Sequence, residues 1–163
     1  MKTVLDTAHA WFFESLAQDL DGTLSVWLVE GIKGTEREYV GIGETRLGPY
    51  FPVRVHAESR CAVVSFRKSL VFFGYDESYD TTDGELTLED DGRFLLLAKT
   101  SSFRSFAEKR TTVSSVFQGT YQEYLLCCED RIFHVLAALP PRVELLSTSP
   151  DLAKERTDTW SAS

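Results

Sequence analysis

A chain of 163 residues with a hydrophobic fraction of 43%, including 11 Phe, 6 Tyr and 3 Trp, carries enough apolar bulk for one core without disulfide or metal staples. Its 25 acidic and 17 basic side chains leave a formal net charge of −8, which repels phosphate backbones over most directions of approach and argues against nucleic acid as a partner. Cys61 and the adjacent Cys127 and Cys128 make a poor disulfide framework, so a reducing, cytoplasmic setting is expected.

The start of the chain, with Asp6 and Glu14 inside its apolar stretch, lacks the uninterrupted core of a secretory signal. From about Thr3 to Asp19 the recurrence of Val4, Leu5, Ala8, Trp11, Phe12, Leu16 and Leu20 predicts an amphipathic helix. Thr3 is its expected N-cap, with Asp6 three positions on, and Asp21-Gly22 is its expected end.

Leu24, Val26 and Leu28 then alternate as a strand, and Glu38 to Glu44 predicts a second one weakened by Gly41 and Gly43. The stretch 47–52 reads as a loop. Strand patterns follow over 53–66, broken near Glu58-Ser59, and over Leu70 to Phe73 after a turn at Arg67-Lys68. Asp91-Gly92 marks a hairpin between Leu86–Leu88 and Phe94–Leu97. Phe103, Phe106 and Ala107 suit a short helix capped by Ser101 or Ser102 and ended before Thr111-Thr112-Val113. A hairpin of Tyr121–Cys128 with Arg131–Leu136 precedes a last strand at Val143 and Leu145, which extends to Ser147. A short helix from 149 to 156 is expected beyond it.

No repeat or linker divides the chain. The expected fold is α+β: a single domain over 1–163, with 157–163 a frayed tail. In it a mostly antiparallel β-sheet carries the N-terminal amphipathic helix packed on one face. No apolar run approaches the length needed to cross a bilayer, so no membrane association is expected.

Catalytic signatures are missing. Cys-x-x-Cys, His-x-His and His-Glu-x-x-His do not occur, so no metal or other cofactor is expected. No Gly-x-Ser-x-Gly elbow is present to present a nucleophile, and no catalytic residue is assigned. Cys127 or Cys128 facing His134 across the last hairpin, with Glu123 or Glu129 nearby, is the one arrangement that suggests a small enzyme or ligand pocket.

A different feature stands out between Asp76 and Asp91, where eight acidic residues occur with no basic one. Tyr75 and Tyr79 lie beside Asp76, Glu77, Asp80, Asp83 and Glu85. Tyrosines supply contact area at low entropic cost, and carboxylates steer encounter with basic surfaces. These seven residues are the expected contact set for a partner protein of basic character. The implied role is a non-enzymatic binder that occludes its partner, the physical profile of immunity-like inhibitors and adaptors.

Overall fold

The computed structural model describes residues 1–146. The expected first helix does not form. The segment is a 3-10 turn, Val4–Thr7, followed by a nine-residue strand, β1 (Ala10–Gln18). Thr3 and Asp6 do close a reciprocal capping box, but it opens that one turn only.

Three features favour the strand. Trp11-Phe12-Phe13 is an aromatic run with strand preference. Trp11 is fully buried, and its indole Nε1 donates to the Leu5 carbonyl at 2.9 Å, an acceptor that a continuing helix would use in its own ladder. Finally, β1 pairs along its length with β2 (Leu24–Lys33), from Ala10 opposite Gly31 to Gln18 opposite Leu24. A bulge between Phe13 and Ser15 shifts the register there, which scrambles the period of two and leaves a pattern that mimics a helical stripe. Asp21-Gly22 belongs to the turn of this hairpin: Gly22 has a φ of +82° and donates to the Asp19 carbonyl.

The chain continues through β3 (Glu38–Ile42), β4 (Thr45–Tyr50), β5 (Val53–Arg54), β6 (Cys61–Phe66), β7 (Ser69–Asp76), β8 (Thr87–Leu88) and β9 (Leu95–Thr100). Two helices follow, α1 (Ser102–Arg110) and α2 (Val113–Val116), then β10 (Gln122–Cys127), β11 (Arg131–Ala137) and β12 (Arg142–Leu146). Residues expected as a loop after Arg46 thus remain in a strand as far as Tyr50. Ser147, the short helix expected from 149 to 156 and the tail at 157–163 lie outside the described residues.

The fold is α+β and dominated by antiparallel sheet, with its helices in mid-chain. One sheet has the order β1-β2-β6-β12, with β5 paired to β2. The other has the order β7-β11-β10-β9-β8, and β3 with β4 forms a separate hairpin.

The two large sheets share a core. Leu24, Val26 and Leu28 of β2 and Ala62, Val64 and Phe66 of β6 meet Leu95, Tyr124, Leu126, Phe133 and Val135 of the second sheet. Rings cross the interface at centroid distances of 6.2 Å for Phe66 and Tyr124 and 5.3 Å for Phe13 and Phe133. Each Val, Leu or Phe among them contributes about 1.5–3 kcal/mol on burial. The chain passes from the first sheet to the second at Arg67-Lys68, where Lys68 adopts a φ of 53°. Among the described residues, no helix is long and apolar enough to cross a membrane.

Candidate partner-binding face

Because side chains alternate along a strand, the core residues of β10 and β11 leave their neighbours on the outer face of the second sheet. Glu123, Leu125 and Cys127 of β10 therefore share that face with Ile132, His134 and Leu136 of β11, and with Phe73 and Tyr75 of β7. Helix α1 packs over it. The Phe103 ring lies 5.3 Å from His134 and 6.3 Å from Phe73, and Ala107 is fully buried.

A buried polar chain fastens the helix to the sheet. Ser101, the N-cap of α1, accepts from the Arg104 amide at 2.9 Å and donates its own hydroxyl to Glu123 Oε2 at 2.6 Å. The other carboxylate oxygen of Glu123 bonds to His134 Nδ1 at 2.9 Å. Glu123 is wholly buried, and Tyr75 stacks on the imidazole at 6.0 Å. Burying a carboxyl group is costly unless its oxygens are bonded, and here each oxygen has a partner.

The order of these groups limits their chemistry. A serine relay requires the imidazole between serine and carboxylate, so that the imidazole takes the hydroxyl proton. Here the carboxylate stands in the middle, and the Ser101 proton points to Glu123.

Of the two cysteines expected to face His134, Cys127 shares its outer face and Cys128 does not. Cys128 belongs to the core between the sheets, whereas His134 is on the outer face. Burial pushes the Cys127 thiol up to about 11, with Asp80 adding to the shift, and burial also raises Cys128 far above the usual thiol range. Neither is a ready thiolate. Both line a shallow cavity of about 300 Å³ with Glu77, Arg93, Phe94, Glu129 and Ile132, and His134 is not part of its wall. Among the described residues, no three His, Cys, Asp or Glu side chains converge to hold a metal.

The acidic segment is placed on the same outer face. At the end of β7, Tyr75 donates its hydroxyl to Asp80 Oδ1 at 2.7 Å; burial, and then this bond, raise the phenol above its ordinary range. Asp76 caps a 3-10 turn, Glu77–Tyr79, accepting from the Ser78 hydroxyl and amide, which hold its carboxyl below the usual range. The chain then reaches the start of α1. There Asp83 accepts from the Ser102 amide at 2.9 Å and hydroxyl at 2.7 Å, lowering its carboxyl likewise, and Glu85 accepts from Ser105.

The seven residues expected as a contact set therefore fall into two neighbouring groups. Tyr75, Asp76, Glu77, Tyr79 and Asp80 surround the end of β7, while Asp83 and Glu85 flank the N-terminus of α1. Tyr79 is 79% exposed, and Glu77 is exposed as well. Sequence reasoning missed the aromatic companions of these carboxylates. Phe73 is 52% exposed and Phe106 is 59% exposed; the spacing of Phe103, Phe106 and Ala107 carried no signal of this, since it assigns all three to one helix face. Comparison with protein-family models, curated proteins and solved structures finds no match.

Proposed function

We propose that this chain is a non-enzymatic protein-binding domain of the cytoplasm, an immunity-like inhibitor or adaptor that covers a basic surface of its partner. The observation that supports this reading is the anchoring of the acidic segment. Asp76, Asp80, Asp83 and Glu85 are each fixed by hydroxyl or amide donors, so the surface is formed before a partner arrives. A pre-ordered surface avoids the entropic cost of arranging a loop on binding.

Its composition suits the same role. Exposed Phe73, Tyr79 and Phe106 supply apolar contact, and the surrounding carboxylates supply steering toward Lys and Arg. Inhibition follows by occlusion: the partner's cationic groove is occupied by carboxylates and rings, and no bond is made or broken.

Affinity capture from lysate tests the reading, with the intact chain and an Asp76→Lys/Glu77→Lys variant compared by quantitative mass spectrometry. The expected result is one basic protein held near stoichiometrically by the intact chain and depleted at least about tenfold with the variant. A partner held equally by both removes this face from the interface. A small molecule that co-purifies in place of any protein moves the reading to a ligand-binding domain.

A further inference from the structure

The acidic segment begins at the end of β7, and β7 is the last strand of its sheet. In an antiparallel ladder alternate residues bond to the neighbouring strand and the rest turn away from it. Two bonds at the turns fix which residues do which. The Glu77 amide donates to the Asp130 carbonyl at 3.2 Å, so by alternation Tyr75, Phe73 and Val71 bond toward β11. The Cys128 amide donates to the Arg131 carbonyl at 2.7 Å, which commits Arg131, Phe133 and Val135 to β10 and leaves Ile132, His134 and Leu136 for β7, in agreement. Phe72 and Gly74 therefore direct their N–H and C=O groups away from the sheet, and among the described residues β7 has no second neighbour.

Open edges template pairing with other chains, and the remaining sheet ends are guarded against it. On β1 the Trp11 carbonyl accepts from the Glu129 amide at 2.9 Å, and the Phe13 amide donates to Asp130 Oδ1 at 2.8 Å. Strand β8 is two residues long, and β12 carries Arg142 and Glu144. From Leu70 to Tyr75, β7 has neither a charge nor a proline. Gly74 offers no side chain to fend off a neighbour. A Cβ there would lie 2.7 Å from the Phe133 ring, so core packing keeps the position bare. Phe72, 38% exposed, and Phe73 flank it on opposite faces of the strand.

Charge names the occupant. The edge runs into Asp76, Glu77 and Asp80, and Arg131, across the ladder from Asp76, lies over the Phe13 ring at 5.9 Å. A second copy would bring the same carboxylates and a further net charge of −8. A strand that ends in Lys or Arg brings the opposite sign. We propose that β7 takes up an extended, basic-ended strand of the partner protein, which continues the second sheet. Its backbone bonds to Phe72 and Gly74, its apolar side chains lie against Phe72 and Phe73, and its cations meet Asp76, Glu77 and Asp80. This rests on the partner-binding reading of the acidic face and adds the form of the partner's segment, a strand.

Hydrogen exchange of the full, unmodified chain, resolved by residue with NMR, tests this against synthetic peptides of about ten residues. One alternates Val and Thr and ends in Lys-Lys; a second has its central amides N-methylated; a third ends in Glu-Glu. The Lys peptide should slow the Phe72 and Gly74 amides about fivefold or more at saturation, and the other two should bind at least about tenfold more weakly. An N-methylated peptide that binds as well as its parent overturns strand addition and leaves the acidic face as a surface that works by charge. Slowing confined to 77–85, or a Lys peptide that does not bind, overturns it too. If the Glu peptide slows the same two amides equally, the edge takes strands but the basic partner, and the acidic-face reading with it, is wrong. Slowing of those amides with protein concentration alone gives the edge to a second copy and overturns the proposal.

Discussion

The outer face of the second sheet and the β3–β4 arm both expose aromatic side chains, but they are held in place by different means. On the outer face, Tyr75 and Phe103 rest on a histidine whose ring is tied to a buried carboxylate, Phe73 stacks on Phe103, and the loop above is anchored to the helix through Asp83 and Glu85. In the arm, order rests on one ladder, on cations laid over rings and on the Arg54–Glu38 fork. The first surface is supported from below, and the second is tethered only at its base, by Lys33 of β2 and Arg54 of β5. Exposure alone does not distinguish them; the number of satisfied polar contacts beneath each does.

This contrast has measurable consequences, and the largest concerns Glu123. Replacing it with Ala strands the Ser101 hydroxyl and His134 Nδ1 and leaves a void. Urea unfolding should register a loss of about 3–5 kcal/mol. Glu123→Gln keeps the volume and part of the bonding, so its loss should be nearer to about 1 kcal/mol. A Glu123→Ala variant as stable as the parent would mean that the outer face does not depend on this chain of bonds.

A smaller effect is expected at Asp83. Asp83→Ala removes the acceptor for the Ser102 amide and hydroxyl and should cost about 1 kcal/mol. The Ser102 hydroxyl bond is the main cause that lowers this carboxyl in the folded state, so its contribution is complete above the ordinary value of 3.8 and is lost as pH falls through the lower folded value. Melting curves of parent and variant should accordingly converge in acid. If the gap instead widened as pH fell, the anchoring assigned to Asp83 would be wrong.

The smallest effect belongs to the arm. Ile42→Ser should change stability by no more than about 0.5 kcal/mol. A thermal shift corresponding to more than about 1 kcal/mol would show that the ribbon packs on the body as firmly as the outer face does.

The unequal legibility of the sequence has the same physical origin. Leu24-Val26-Leu28 and the β10–β11 hairpin were readable because unbroken alternation meets a buried sheet face there. A cap at Ser101 or Ser102 and a helix end before Thr111 are readable because capping is local chemistry, and the structure selects Ser101. The first element was not, because the bulge after Phe13 breaks the period and Trp11 finds its hydrogen bond six residues back. Of the candidate face, the tyrosines and carboxylates of 75–85 were visible as composition. Their fixation was not, since Asp83–Ser102 and Glu123–His134 join residues far apart in the chain. Of Cys127 and Cys128, the two candidates to face His134, only Cys127 is on its side of the sheet, because one residue of offset on a strand moves a side chain to the opposite face.

The corner at Arg67-Lys68 carries one more implication. The strands on either side of it belong to different sheets: β6 is bonded to β2 and β12, and β7 to β11. The two sheets are consequently spliced by this tight bend and again by the return from β11 to β12, and neither can dissolve while the other persists without breaking the core at Phe66 and Tyr124. Denaturation should therefore proceed as one cooperative event, with Trp11 and Trp27 fluorescence from the first sheet and amide exchange in β10 and β11 of the second reporting the same transition.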